Sequence, residues 1–206
     1  MKAYKQIHIT GASGCGTTTL GGALAARLHW PVLDADDFFW EPTIPPYQRK
    51  RSRPDRLALI LNALSSHPEW VLSGSICGWG EALEKSFDTV VFLTVRKDIR
   101  LSRLREREQR KHGRIDPEFL EWAGRYDEGG LEMRSRALHE QWLQGLTCPV
   151  IRLDGEKPVT LLVDTVLTSI GVQGAHGAAV QTKDNHPSSL NRNFVERAES
   201  TARKSP

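Results

Sequence analysis

The 206-residue chain predicts an α/β fold, three layers deep, with a five-stranded parallel sheet and helices on both faces. Three observations predict it. Short apolar, β-branched runs recur, of which Thr89–Val95 (TVVFLTV) is the strongest. Amphipathic helical stretches separate them, and strands alternating with helices pair in parallel through right-handed crossovers. The parallel strands read as continuous apolar runs rather than alternating ones, as burial on both faces requires.

Gln6–Thr10 is the first strand, followed by a glycine-rich turn and a helix from Thr17 to His29. Leu20, Leu24 and Leu28 give that helix an apolar stripe at i, i+4 and i+8. Pro31–Leu33 is a short second strand running into Asp34, Ala35, Asp36 and Asp37. Asp37 is the expected cap of the segment that follows. Pro42–Pro46 holds three prolines and reads as a loop. Arg53–Ser66 is a helix with Leu57, Ile60, Leu61 and Leu64 on one face, and Trp70–Leu72 is a buried strand. A basic helix begins near Asp98. Asp116 and Pro117 are a cap and first-turn proline for the next helix. Leu131–Leu143 is helical and Pro149–Leu153 the last strand. Val159, Leu162, Val163, Val166, Leu167 and Ile170 pattern a closing helix that Gly171 terminates. A domain over 1–171 follows, and 172–206, with little periodicity, reads as a disordered tail.

Composition excludes several classes. Net charge is +3 and hydrophobic residues make up 39%, as in an ordinary globular protein. No stretch approaches the ~20 apolar residues of a membrane span. The three cysteines, Cys15, Cys77 and Cys148, have neither metal-ligand nor disulfide-framework spacing, which points to a reducing, cytoplasmic setting. Oligomeric state is left as monomer or homodimer.

The turn Gly11-Ala-Ser-Gly-Cys-Gly-Thr17-Thr18 matches the phosphate-binding pattern G-x-x-x-x-G-K-[ST] at Gly11, Gly16 and Thr18. Glycines let backbone N–H groups converge on a phosphate, and the following helix adds its positive end. The nucleotide-binding candidates are Gly11, Ser13, Gly14, Cys15, Gly16, Thr17, Thr18 and Thr19. Thr18 is placed to hold Mg²⁺ through its hydroxyl. Thr17 stands where the pattern has lysine. A lost charge-assisted contact costs about 1.5–3 kcal/mol in binding, and more in the transition state of phosphoryl transfer.

Over residues 5–171 the strand–loop–helix start, the Asp-rich end of the second strand and the basic late helix resemble the nucleoside monophosphate kinase, shikimate kinase and gluconate kinase group. GASGCGTTTL, DADDFFW and SGSICGWG are similar to bacterial P-loop proteins described as adenylate kinase-like or simply as ATPases. The resemblance implies the P-loop NTPase fold, ATP and Mg²⁺ as cofactors, and a small-molecule phosphoryl acceptor. It implies that Asp36 lies on the metal side and Asp34 acts as acceptor ligand or general base. It also implies that Gly74 and Ser75 admit the acceptor, with Trp79 as pocket wall or core residue.

Residues 96–114 hold nine Lys or Arg and three acids. Arg96, Arg100, Arg103, Arg107, Arg110 and Arg114 recur at spacings that put them on one helical face. By resemblance, Arg103 and Arg107 match the R-x-x-x-R that faces the nucleotide, and 111–130 is a lid hinged near Gly113 and Gly129–Gly130. Arg125 and Arg134 are weaker candidates beyond it. Lys50 and Arg51 are candidate grips for an acidic acceptor. For all these cations, simple exposure to solvent stays open. The expected function is an ATP-dependent kinase of a nucleotide or a small hydroxylated or acidic metabolite. The alternative is a non-catalytic, regulatory nucleotide-binding protein with a degenerate loop. Binding to nucleic acid is not expected, since aromatics do not interleave with the cations.

Overall fold

In the computed structural model, which describes residues 4–44 and 47–172, five strands hydrogen-bond into one parallel sheet. The strands are β1 (Gln6–Gly11), β2 (Val32–Asp34), β3 (Trp70–Ser73), β4 (Thr89–Thr94) and β5 (Val150–Asp154). Their order is β2-β3-β1-β4-β5. The central strand β1 pairs Ile7 with Val71 on one side and with Thr89 on the other. The chain first builds outward on the β3 side and then crosses to β4, so the switch point lies beside β1. Ligands of open parallel sheets bind there, beyond the carboxyl ends of the strands.

The pleat sorts side chains into two cores. Ile7, Ile9, Val91 and Leu93 face helix α1 (Thr17–Leu28) and helix α8 (Val159–Ser169), whose Leu20, Leu24, Leu162 and Val166 are buried against them. Leu72, Val90 and Phe92 face the other way, onto Ile60 and Leu64 of α3 (Arg53–Ser65) and Leu143 of α7 (Arg136–Gln144). Each such fully buried side chain stabilises the fold by about 1.5–3 kcal/mol. His8 and Thr10 also point to the second side and are fully buried. Among the described residues His8 Nε2 and Thr10 Oγ1 have no hydrogen-bond partner.

Gly171 ends α8 as expected. It sits at φ 75° and donates to Thr168 O, while Val172 N–H reaches Leu167 O. Other boundaries differ from expectation. The DADDFF stretch continues as helix α2 (Ala35–Phe39), capped by Asp34 rather than Asp37, because the Asp34 carboxylate accepts the Asp36 N–H. A one-turn helix, α4 (Glu81–Glu84), follows Gly80. The helix expected from Leu131 begins at Arg136. Leu131 is exposed, and Ser135 caps the start by accepting from Leu138 N–H. The basic helix α5 spans Lys97–His112 and stops at Gly113, at φ 66°. Helix α6 (Pro117–Gly124) has the expected Asp116 cap and Pro117 start. A 3-10 turn, Arg125–Asp127, follows it. No described helix is long and apolar enough to cross a membrane. The expected tail lies outside the described residues, apart from Val172.

Candidate functional site

The glycine-rich loop joins the buried end of β1 to α1. Gly14 and Gly16 lie at φ 85° and 91°, conformations that only glycine adopts without strain. At Gly14 a Cβ would also meet Arg100 O at 2.7 Å, so the loop is seated directly on α5. Gly16 is the N-cap of α1, and no side chain caps the helix. The N–H groups of its first turn are thus offered, with the helix's positive end, to an anion. Cys15 is buried and its thiol pushed up to about 11 by burial; it serves through its backbone, donating to Ala12 O at 3.1 Å. Thr17 is half-buried, and Thr18 and Thr19 are exposed on the first turn.

Thr18 Oγ1 donates to Asp34 Oδ2 at 3.0 Å, which ties the first turn of α1 to the end of β2. The other Asp34 oxygen holds the Asp36 N–H at 3.0 Å. Asp36 therefore sits one step further into α2, and its carboxyl is pushed above the ordinary range by burial and by the Asp34 charge, opposed by Arg134, Arg107 and Lys111. The pair of hard oxygen donors, Thr18 hydroxyl and Asp34 carboxylate, suits Mg²⁺, which binds through one or two protein oxygens plus phosphates and water. Among the described residues no cluster of three His, Cys, Asp or Glu side chains could hold a metal on its own. Such a cation would need a nucleotide's oxygens to complete its shell.

At the end of β3, Gly74 lies at φ 109°, and a Cβ there would meet the Ala35 Cβ at 2.8 Å. Its lack of a side chain lets β3 close on α2 beside Asp34. Ser75 Oγ hydrogen-bonds His139 Nε2 at 3.1 Å, and His139 Nδ1 meets the Tyr126 hydroxyl at 2.7 Å. This buried relay links β3, α7 and the turn after α6. His139 is fully buried and held down to about 3, chiefly by burial and then by Arg134. The sequence reading missed it. The available signal was a lone histidine at i, i+4 with Leu143 on the apolar side of α7.

The arginines divide by environment rather than sharing one face. Arg100 is fully buried. It donates to Val95 O at 3.2 Å, Ala123 O at 3.3 Å and Ser13 O at 3.5 Å, pairs with Asp127 and lies over the Tyr126 ring. It thus clamps the loop, α5 and the 117–127 segment together. Arg103 is half-buried and donates to Gly155 O at 3.1 Å and Gly14 O at 3.5 Å. Arg107 is half-buried, over Phe119 and beside Glu108. Arg96 and Arg110 are exposed, and Arg114 lies past the helix end. Arg125 heads the 3-10 turn. Arg134 reaches the loop: its Nη2 donates to Gly11 O at 3.0 Å, and its guanidinium lies 5.9 Å from the Trp122 ring. Ser13, Trp122, Ala123, Tyr126 and Arg134 meet in a narrow crevice beside the loop.

Lys50 and Arg51 are brought to the end of α2. Lys50 forms an antiparallel bridge with Trp40 and sits about 6 Å over the Phe39 and Trp40 rings. Arg51 N–H donates to Phe39 O at 2.8 Å. Arg56, which had no assigned role, stacks against both Phe39 and Trp79 at 4.8 and 4.9 Å. Trp79 is buried, so it is both core residue and wall of this cationic–aromatic corner.

A parallel sheet of this order, a glycine loop capping the first helix and a Thr–Asp pair beside it define a P-loop phosphate-binding protein of the kinase type. Residues 7–121 match the AAA domain family model. The chain is 45% identical over 173 residues to the uncharacterized protein YqaC of Bacillus subtilis, covering 79% of this chain and 96% of that one. It is 31% identical over 132 residues to a shikimate kinase of Bacteroides fragilis, covering 57% of this chain and 73% of the relative. The fold is similar to that of the shikimate kinase from Bacteroides thetaiotaomicron, with a TM-score of 0.53, 18% identity, and 82% and 99% of the two chains covered. The chain belongs to the AAA domain family, among its kinase-like P-loop members.

Proposed function

We propose that this protein transfers the γ-phosphoryl group of ATP to a hydroxyl of a small, acidic or hydroxylated acceptor. The observation that carries the reading is the Thr18–Asp34 hydrogen bond of 3.0 Å. It gathers a hydroxyl, a carboxylate and the loop's N–H groups at one point, with a second carboxylate, Asp36, next in line. Kinship with a protein named shikimate kinase supports a small-molecule acceptor.

The geometry favours exchanging the two aspartate roles expected from the resemblance. Asp34 accepts the Thr18 hydroxyl hydrogen, so Thr18 and Asp34 would hold Mg²⁺ together, which when bound neutralises phosphate charge. Asp36, with its raised proton affinity, suits the general base. It accepts the acceptor's hydroxyl proton as the acceptor oxygen bonds to the γ-phosphorus. The bond from that phosphorus to the bridging oxygen breaks, and ADP leaves. The loop and helix end, through Gly11, Ser13, Gly14, Cys15, Gly16, Thr17 and Thr19, bind the phosphates. Gly74 and Ser75 border the acceptor, and Lys50 and Arg51 draw in its negative charge. Arg103 and Arg107 lie on the phosphate side, and 111–130 is a lid hinged near Gly113 and Gly129–Gly130.

The test is ADP release from ATP and Mg²⁺ across a panel of nucleosides, nucleoside monophosphates and hydroxy acids. ADP that appears only with one acceptor class is expected. Tight nucleotide binding with no acceptor-dependent ADP would favour the second reading, a regulatory nucleotide binder, which the uncharged Thr17 specifically supports.

A further inference from the structure

Thr17 leaves the loop without its usual cation, and the candidates to replace it can be sorted by what already holds them. Arg100 is buried and neutralised by Asp127. Arg103 is spent on the carbonyls of Gly14 and Gly155. Arg107 is beside Glu108, and Lys50 is exposed over Phe39 and Trp40.

Arg134 differs from all of them. It is half-buried, touches the first carbonyl of the loop at 3.0 Å and packs with Ser13 and Trp122 in a narrow crevice beside it. No ion pair among the described residues includes it, and its buried Nε has no hydrogen-bond partner there. The Asp36 carboxylate acts on it only at a distance, without an ion-pair contact, and a buried guanidinium N–H left unpaired is costly unless an anion completes the site. The guanidinium fork also matches two phosphate oxygens at once, which an ammonium cannot do.

We propose that Arg134 is the phosphate-binding cation that stands in for the lysine absent at Thr17, engaging the terminal phosphate of a nucleoside triphosphate. The inference rests on the nucleotide reading above. Arg134 would be held ready by Gly11 O and the Trp122 face and would offer its remaining N–H groups to the γ-phosphate. The charge thereby comes from the segment before α7 rather than from the loop itself.

The experiment compares binding of a non-hydrolysable ATP analogue and of ADP, each with Mg²⁺, by calorimetry on the full chain. The variants are Arg134→Gln, Arg134→Lys and Arg134→Gln combined with Thr17→Lys. Glutamine keeps a donor for Gly11 O and removes the charge. Arg134→Gln is expected to weaken the triphosphate analogue by about 10–100-fold, as loss of a charge-assisted contact does, with ADP changed by less than about 2-fold. Arg134→Lys should fall between, which serves if the glutamine variant melts early. Adding Thr17→Lys should recover most of the lost triphosphate affinity. Equal loss for both nucleotides without recovery would mean that Arg134 only braces the loop and would overturn the proposal, as would unaltered binding of both. If the unaltered protein binds neither nucleotide, the nucleotide reading itself falls and takes this one with it.

Discussion

Asp34 and Asp36 are two residues apart in sequence and do different work because one of them caps a helix. Asp34 spends one oxygen on the Asp36 N–H and the other on Thr18. Asp36, two residues further on, keeps an exposed edge but is left with partial desolvation by the surrounding protein and a neighbouring negative charge, both of which favour its protonated form. Asp36→Asn is therefore expected to lower kcat by about 10²–10⁴-fold, the usual share of a general base, with nucleotide affinity unchanged. Asp34→Asn should instead weaken Mg²⁺-nucleotide binding. Titration calorimetry beside steady-state kinetics separates the two; the reverse pattern would restore the roles that the resemblance implied. Because a base works only when deprotonated, the acid limb of kcat should be lost at a higher pH than an ordinary aspartate gives, and Asp36→Asn should remove that limb. The D-x-D pair was legible in the sequence. Its division of labour was not, since it depends on a five-residue helix, α2, too short to leave a periodic signal.

Among the elements, α5 shows how spacing misleads when burial is unknown. The 4, 3, 4 recurrence of arginines predicts one shared face and treats them as equals, whereas their environments differ. Arg100 is fully buried whereas Arg110 is exposed, because the helix tilts its first turns onto the loop at Gly14 and leaves its last turns in solvent. The clamp made by Arg100 joins three segments whose residues lie 87, 27 and 23 positions away in sequence; no local pattern reports such partners. The same separation hid His139 and left Arg134 only a weaker candidate. By contrast β4 was plain, because a run of β-branched apolar residues has few other fates. Removing one partner of a buried pair is worse than removing both. Arg100→Met is thus expected to cost about 3 kcal/mol in urea denaturation, since it strands Asp127 and three carbonyls. It should also weaken nucleotide binding by loosening the loop carbonyl at Ser13. Loss of stability below about 1 kcal/mol would mean the clamp is not under load.

At the scale of the whole molecule, the sheet's carboxyl ends carry the site while the core beneath them carries two neutral histidines. His8 is stacked 4.9 Å from Phe87, with its Nδ1 at 3.1 Å from Leu72 O. His139 is edge-on to Phe92 at 5.8 Å. Burial holds each down to about 3, against 6.5 for the free side chain. Between those values the unfolded chain binds protons that the folded one refuses. Stability is therefore fully present above about pH 6.5 and lost as pH falls toward 3, at up to about 1.4 kcal/mol per pH unit for each histidine. Carboxylates held low by partners, such as Glu140 against Arg152, withdraw their contribution only in the lower part of that range. Asp36, raised by burial, titrates in the opposite sense and softens the slope. In the window from pH 6.5 to 5 the two histidines set the fall in stability, which Asp36 can only oppose. Urea unfolding across it should show a steep fall in stability for the native chain and a shallower one for the double variant His8→Gln, His139→Gln, whatever that variant's stability at pH 7.5. An unchanged slope would place the acid-sensitive groups elsewhere. The sequence showed His8 inside an apolar strand but could not say that it faces the α3–α7 core, where two imidazoles share one dry compartment and protonating either works against the fold that positions the site.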